Sequence, residues 1–65
     1  MTDERASVRD LDEALRHCRA GLKALEAARG TAAETGAIYP THIHLAAVEL
    51  AHAIEISMQV ALREQ

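Results

Sequence analysis

The sequence predicts an all-α protein folded as an antiparallel two-helix hairpin. The chain of 65 residues is rich in Ala, Leu, Glu and Arg, which favour helix. Apolar residues recur with helical spacing in two long segments, and glycines and a proline separate those segments. A short connection makes two helices antiparallel neighbours. We therefore expect one helical-hairpin domain over residues 1–65.

Helix 1 is predicted from about residue 3 to 29. Thr2 is its expected N-cap, and Asp3 and Glu4 lie where the helix dipole favours negative charge. Apolar residues alternate in steps of three and four, which is typical of a coiled-coil seam. The seam consists of Val8, Leu11, Leu15, Cys18, Leu22 and Leu25.

A second row on helix 1 contains only small side chains and repeats every seven residues. Small side chains let a neighbouring helix approach closely, so we expect this row to form a second contact edge beside the seam. Its members are Ser7, Ala14, Gly21 and Ala28.

The end of helix 1 has two possible positions. Gly30 is a candidate C-cap, and Thr31 and Glu34 fit a capping box that would begin one more turn. Helix 1 therefore ends either at Gly30 or at about Thr35.

Gly36 and Pro40 prevent a single continuous helix, and the loop is expected at about residues 30–40. Pro40 restricts the residue before it to extended geometry, so Thr41 is the expected N-cap of helix 2. Helix 2 is predicted over about residues 41–63.

Helix 2 carries an unusually wide apolar surface. At 100° per residue its apolar side chains fill an arc of roughly 180°, whereas packing on one neighbour needs only about 100°. Helix 1 cannot cover this arc alone. We therefore expect either a homodimer, in which two hairpins form a four-helix bundle, or docking onto a larger helical protein.

The function predicted from this pattern is a non-enzymatic protein–protein interaction module without a cofactor, which acts through the apolar arc of helix 2. It is either a self-associating bundle or a small adaptor, inhibitor or co-chaperone subunit. The predicted interface comprises Leu11, Leu15, Cys18, Leu22, Leu25, Ile43, Ala47, Leu50, Ile54, Met58 and Ala61. A secondary interface comprises Leu45, Val48, Ile56, Leu62 and Tyr39.

The composition and the N-terminal sequence indicate the cellular compartment of the protein. The lone cysteine allows no intramolecular disulfide and is ordinary for a reducing compartment. The N-terminus is acidic where a secretory signal would be basic, and Glu49, His52, Glu55 and Gln59 interrupt the longest apolar region. We expect a cytoplasmic protein that does not span a membrane.

A net charge of −3 without Trp or Phe argues against nucleic-acid binding.

The alternative function is a metal-binding or di-iron helical bundle. Glu49 and His52 form an E-x-x-H pair, which ferritin-like di-iron bundles take from each of two helices, and helix 1 would add Glu13 or Glu26. Against this alternative, His52 lies opposite the centre of the apolar arc and is expected to face water.

A second set of candidate ligands is His42 and His44 with His17 and Cys18, whose residue types suit zinc. Their spacing matches no familiar zinc signature, so ordinary surface and core positions are expected.

An RNA-binding hairpin dimer is the third possibility, because basic side chains form a row on helix 1. Acidic residues are interleaved with them, which favours a self-neutralised, solvated face. The basic residues are Arg9, Arg16, Arg19 and Lys23.

A family resemblance rests on residues from both helices and the loop. They are Leu11, Ala14, Leu15, Cys18 and Arg19 on helix 1, followed by Tyr39 and the segment Ala53-Ile54-Glu55-Ile56. The chain resembles the small two-helix co-chaperones of type III secretion needle subunits. The resemblance implies a hairpin that binds a companion chaperone through helix 2 and keeps a filament subunit soluble.

Overall fold

The computed structural model describes residues 4–64 and contains two long helices in this range. Helix α1 spans Glu4–Thr35 and helix α2 spans Pro40–Arg63. The helices pack side by side and antiparallel in a rod of 53 × 14 × 13 Å. The predicted all-α hairpin is confirmed. The expected roles of Thr2 and Asp3 at the N-terminus lie outside the described residues.

Helix α1 continues through Gly30 and ends at Thr35, which is the later of the two predicted ends, so Gly30 is not the C-cap. Thr31 also lies inside the helix and begins no capping box. The turn comes at Gly36, whose positive φ of 74° is the left-handed conformation that a glycine adopts without steric cost. Its N–H donates to the Ala32 carbonyl over 2.8 Å. The helix therefore ends where the backbone can reverse, and Gly30 keeps an ordinary helical conformation.

Helix α2 begins at Pro40, one residue earlier than predicted, and Thr41 is not its N-cap. Tyr39 is the N-cap residue, with extended backbone angles of φ −87° and ψ 122°, and its carbonyl accepts from the His42 N–H over 3.1 Å. Pro40 occupies the first helical position, where its fixed φ suits the helix and no N–H is needed. Proline therefore starts this helix.

The same substitution is expected to have opposite effects on stability at Gly36 and at Gly30. Gly36→Ala is expected to lower the free energy of unfolding by about 1–2 kcal/mol, because alanine is strained at positive φ. Gly30→Ala is expected to raise it by about 0.5–1 kcal/mol, because a helical Cβ meets nothing there within 4 Å. Thermal or urea unfolding followed by circular dichroism measures both. Equal effects at the two glycines would contradict this placement of the helix end.

The two helices meet along small side chains. The residues buried between them are Ser7, Ala14, Gly21, Ala24 and Ala28 of α1 with Ala46 and Val60 of α2. The row of small residues, predicted as a second edge, is thus the main contact within the hairpin, because small side chains allow close approach of the backbones.

The leucine-rich seam does not pack between α1 and α2. At least half of the surface of three seam residues is exposed: 57% for Val8, 50% for Leu15 and 51% for Leu22. The contact within the hairpin is made instead by the small residues, which the two helices turn toward each other. The largest apolar side chains therefore remain available on the surface.

Polar contacts join the two ends of the chain. The Ser7 hydroxyl donates to the Glu64 carboxylate over 3.0 Å. The Arg63 guanidinium is paired with Asp10, and both side chains are partly exposed. A partly exposed ion pair such as Arg63–Asp10 typically contributes about 0.2–1 kcal/mol, so it adds little to the stability of the hairpin.

The hairpin leaves more surface exposed than a compact chain of its size. Its accessible area is 5044 Å², whereas a compact monomer of 7.0 kDa would expose about 4,000 Å². Its radius of gyration of 15.1 Å compares with about 11 Å for a compact domain of this length. About 1,000 Å² of additional surface is therefore exposed per chain.

Candidate interaction face and histidine groove

Both helices contribute to one open apolar groove of about 650 Å³. It is lined by Leu11, Ala14, Leu15 and Cys18 of α1 and by Leu50, Ala53, Ile54, Ser57, Met58 and Ala61 of α2. Ser57 is the one polar residue in this lining, and its hydroxyl already donates to the Ala53 carbonyl over 2.7 Å. The groove therefore offers an almost purely apolar surface.

Most of the large side chains of this groove are exposed in the hairpin, and Leu50 is half-buried. Ile54 and Met58 are both 60% exposed, and Leu11 is 44% exposed. The heptad spacing extends the same surface toward the loop through Leu22, Leu25, Ile43 and Ala47. We call the eleven residues of the predicted interface the apolar face. Seven of them line the groove: Leu11, Leu15, Cys18, Leu50, Ile54, Met58 and Ala61.

The residues of the predicted secondary interface differ in their burial. Val48 and Ile56 are half-buried in the hairpin, whereas Leu45, Leu62 and Tyr39 are exposed. The Tyr39 ring lies edge-on to His42, with ring centroids 6.1 Å apart. This set stays a prediction, and nothing in the geometry joins it to the groove.

A second groove, of about 410 Å³, runs along the opposite side of the helix pair, and we call it the histidine groove. It is lined by Glu13, His17, His52, Glu55, Ile56 and Gln59. Glu13 and Leu15 lie two residues apart, which is about 200° around a helix, so α1 presents them to opposite sides. The same spacing separates His52 from Ile54 on α2. The two grooves are thus separate surfaces.

Three potential ligands meet beside the histidine groove. His17 Nδ1 lies 3.2 Å from Glu49 Oε2, within hydrogen-bonding distance. The rings of His17 and His52 are edge-on, with centroids 5.1 Å apart. One ligand atom from each of His17, Glu49 and His52 lies within 4.8 Å of the other two.

This cluster differs from both sets of candidate metal ligands considered from the sequence. The structure does not bring His17, Cys18, His42 and His44 together, because Cys18 lines the other groove. Ten residues of α2, about 15 Å, separate His42 from His52.

The di-iron alternative predicted Glu49 and His52 together, and the structure places them together but at the surface. His52 is exposed, as the helical wheel predicts. Of the two carboxylates proposed for helix 1, Glu13 lies in the groove lining, whereas Glu26 is exposed elsewhere on α1. A single hairpin therefore does not enclose these candidate ligands between its helices.

The sequence reasoning missed the pairing of His17 with Glu49 and His52. A detectable signal was present, because E-x-x-x-H at Glu13 and E-x-x-H at Glu49 each put two ligands on one helical face. Their meeting depends on where the chain reverses. Once the loop is fixed at residues 36–39, antiparallel pairing brings the middle of α1 beside the middle of α2.

The basic residues proposed as an RNA surface are all exposed, and no further feature distinguishes them. They are Arg9, Arg16, Arg19 and Lys23.

Comparison with protein-family models, curated proteins and solved structures found no match to this chain. The class that the fold defines is an all-α helical hairpin. By length and composition alone, one helix in the described range, Pro40–Arg63, is long and apolar enough to cross a membrane.

Proposed function

We propose that this chain is a non-enzymatic, water-soluble cytoplasmic interaction module that self-associates through the apolar face. Two hairpins related by a twofold axis would place their apolar faces together and form a four-helix bundle. The observation that carries this proposal is the apolar groove, in which large aliphatic side chains from both helices are exposed together.

The chemistry of the groove suits a second copy of the same surface. None of its lining residues is charged, so two copies meet without unpaired buried charge despite the net charge of −3 on each chain. Burying the remaining half of a Leu, Ile or Met side chain contributes about 1 kcal/mol. Several such side chains in each chain would stabilise the dimer substantially.

The amount of exposed surface also matches a dimer. A standard protein–protein interface buries about 800 Å² on each partner. The hairpin exposes about 1,000 Å² more than a compact monomer of its mass. Burial of one face against a second copy would therefore bring the exposed area per chain to the value of a compact protein.

The polar residues of α2 favour water over a membrane for this helix. Glu49 and Glu55 lie near its middle, and Glu49 contacts His17 of α1. A charged residue at the centre of a membrane helix costs roughly 2.5–3.5 kcal/mol. Association of hairpins covers the same apolar residues without that cost.

Light scattering on the purified chain tests the proposal. We expect a single species of twice the 7.0 kDa chain mass, with helical circular dichroism and concentration-dependent melting. A stable, folded monomer would overturn self-association. Insoluble or molten protein would also overturn it and would indicate an obligate partner of a different sequence. Partitioning into lipid vesicles would contradict the water-soluble assignment.

A further inference from the structure

The cluster of His17, Glu49 and His52 has the composition of a transition-metal site. Two imidazoles and one carboxylate are the ligand types that zinc enzymes combine, whereas sites for Mg²⁺ or Ca²⁺ consist of oxygen ligands. The cluster is assembled from both helices, so the antiparallel packing of the hairpin creates it.

The distances suit one ion. Ligands placed about 2.0–2.1 Å from a tetrahedral Zn²⁺ are about 3.3 Å from one another. The 3.2 Å separation of His17 Nδ1 from Glu49 Oε2 already equals such an edge. All three ligand atoms lie within 4.8 Å of one another, so the exposed His52 ring needs to move by less than 2 Å.

Two of the three ligands are partly buried and the third is exposed, an arrangement that suits a metal site open on one side. The side chains of His17 and Glu49 are 27% and 21% exposed, and both are therefore held against the helix pair. His52 is exposed and borders the open groove of about 410 Å³. A bound ion would keep one coordination position facing this groove, available for water or for a small ligand.

A further carboxylate lies where it would support the site. Glu13 Oε1 is 3.9 Å from His17 Nε2, the ring nitrogen opposite the one that faces Glu49. In metal sites the second nitrogen of a ligating histidine usually donates to a carboxylate, which fixes the ring and strengthens the ligand. Glu13 stands one helical turn before His17, and a small rotamer change would complete this contact.

We propose that His17, Glu49 and His52 bind one Zn²⁺ or a similar divalent transition-metal ion, with Glu13 orienting His17. The site lies within a single chain and on the side opposite the apolar face. It therefore holds whether or not the chain dimerises, and its test is independent of the association test.

Zn²⁺ titration into the full chain, stripped with chelator and dialysed, tests this site by calorimetry. We expect one equivalent of Zn²⁺ per chain. His17→Ala and His52→Ala should each weaken binding more than tenfold. Glu13→Gln should weaken it by at most about 10–100-fold, the range typical of the loss of a supporting carboxylate. Co²⁺ in place of Zn²⁺ should give visible absorption that both alanine variants lose.

Two control variants make the assignment specific. His44→Ala removes an exposed histidine near the N-terminus of α2, and Cys18→Ser removes the thiol, which lines the apolar groove. Neither should change the affinity for Zn²⁺. Absence of Zn²⁺ binding would overturn the proposal, and so would a loss of affinity in either control equal to that in His17→Ala. If His17 and Glu49 form only a structural hydrogen bond, His17→Ala would lower the melting temperature without changing Zn²⁺ binding.

Discussion

Ile54→Asp is expected to convert the protein from a dimer to a monomer. Ile54 is 60% exposed in the hairpin and lines the centre of the apolar groove, so the substitution removes little packing within one chain. In the proposed dimer it would bury two unpaired carboxylates and remove two isoleucines, each of which contributes about 1.5–3 kcal/mol when fully buried. The dimer dissociation constant should therefore rise at least about a hundredfold. Light scattering over a range of concentrations measures this change.

Ile38→Asp provides the matched control for Ile54→Asp. Ile38 is 66% exposed but lies in the loop outside the apolar face, so the same chemical change should leave the mass of the assembly unchanged. If both variants dissociate, added charge alone explains the effect. An Ile54→Asp variant that keeps the wild-type mass would show that the apolar groove is not the dimer interface.

The hairpin itself was predictable because helical periodicity is local. The spacing of apolar residues in each half depends only on the chain's own geometry, and it identified both helices. The helix ends were less predictable, because Gly30 and Gly36 are the same residue in similar surroundings. In the structure Gly36, and not Gly30, adopts the positive φ.

The choice of contact surface was not predictable from α1 alone. The leucine-rich seam and the row of small residues both repeat every seven residues, so periodicity favours neither as the contact within the hairpin. The outcome depends on the partner helix, where Ala46 is buried against α1. Small residues on both helices permit the close approach that leaves the leucines of α1 exposed. The histidine cluster was missed for a related reason, since it needs the register between the helices.

Gly21→Val is expected to destabilise the hairpin strongly. Gly21 is buried between the two helices, and a Cβ built there would lie 2.8 Å from Leu50 Cγ and 3.4 Å from the Ala46 carbonyl oxygen. A valine therefore forces Leu50 to shift or the helices to separate. Overpacking of this kind costs about 1–3 kcal/mol, which is a large fraction of the stability of a small domain. A fall in melting temperature of about 4–8 °C per kcal/mol is expected at fixed protein concentration.

Gly30→Val is the matched control for Gly21→Val, because it makes the same change in helix propensity on the same helix where a Cβ meets nothing within 4 Å. It should leave the melting temperature unchanged or raise it slightly. Leu50→Ala should also reduce the cost of Gly21→Val, because it removes the side-chain atoms that the new Cβ meets. Equal melting temperatures for the two valine variants would show that the helices do not meet at Gly21.

Leu50 lines the apolar groove as well, so Gly21→Val should also weaken self-association. The small residue at this position therefore controls both the packing of the hairpin and the shape of the surface it presents.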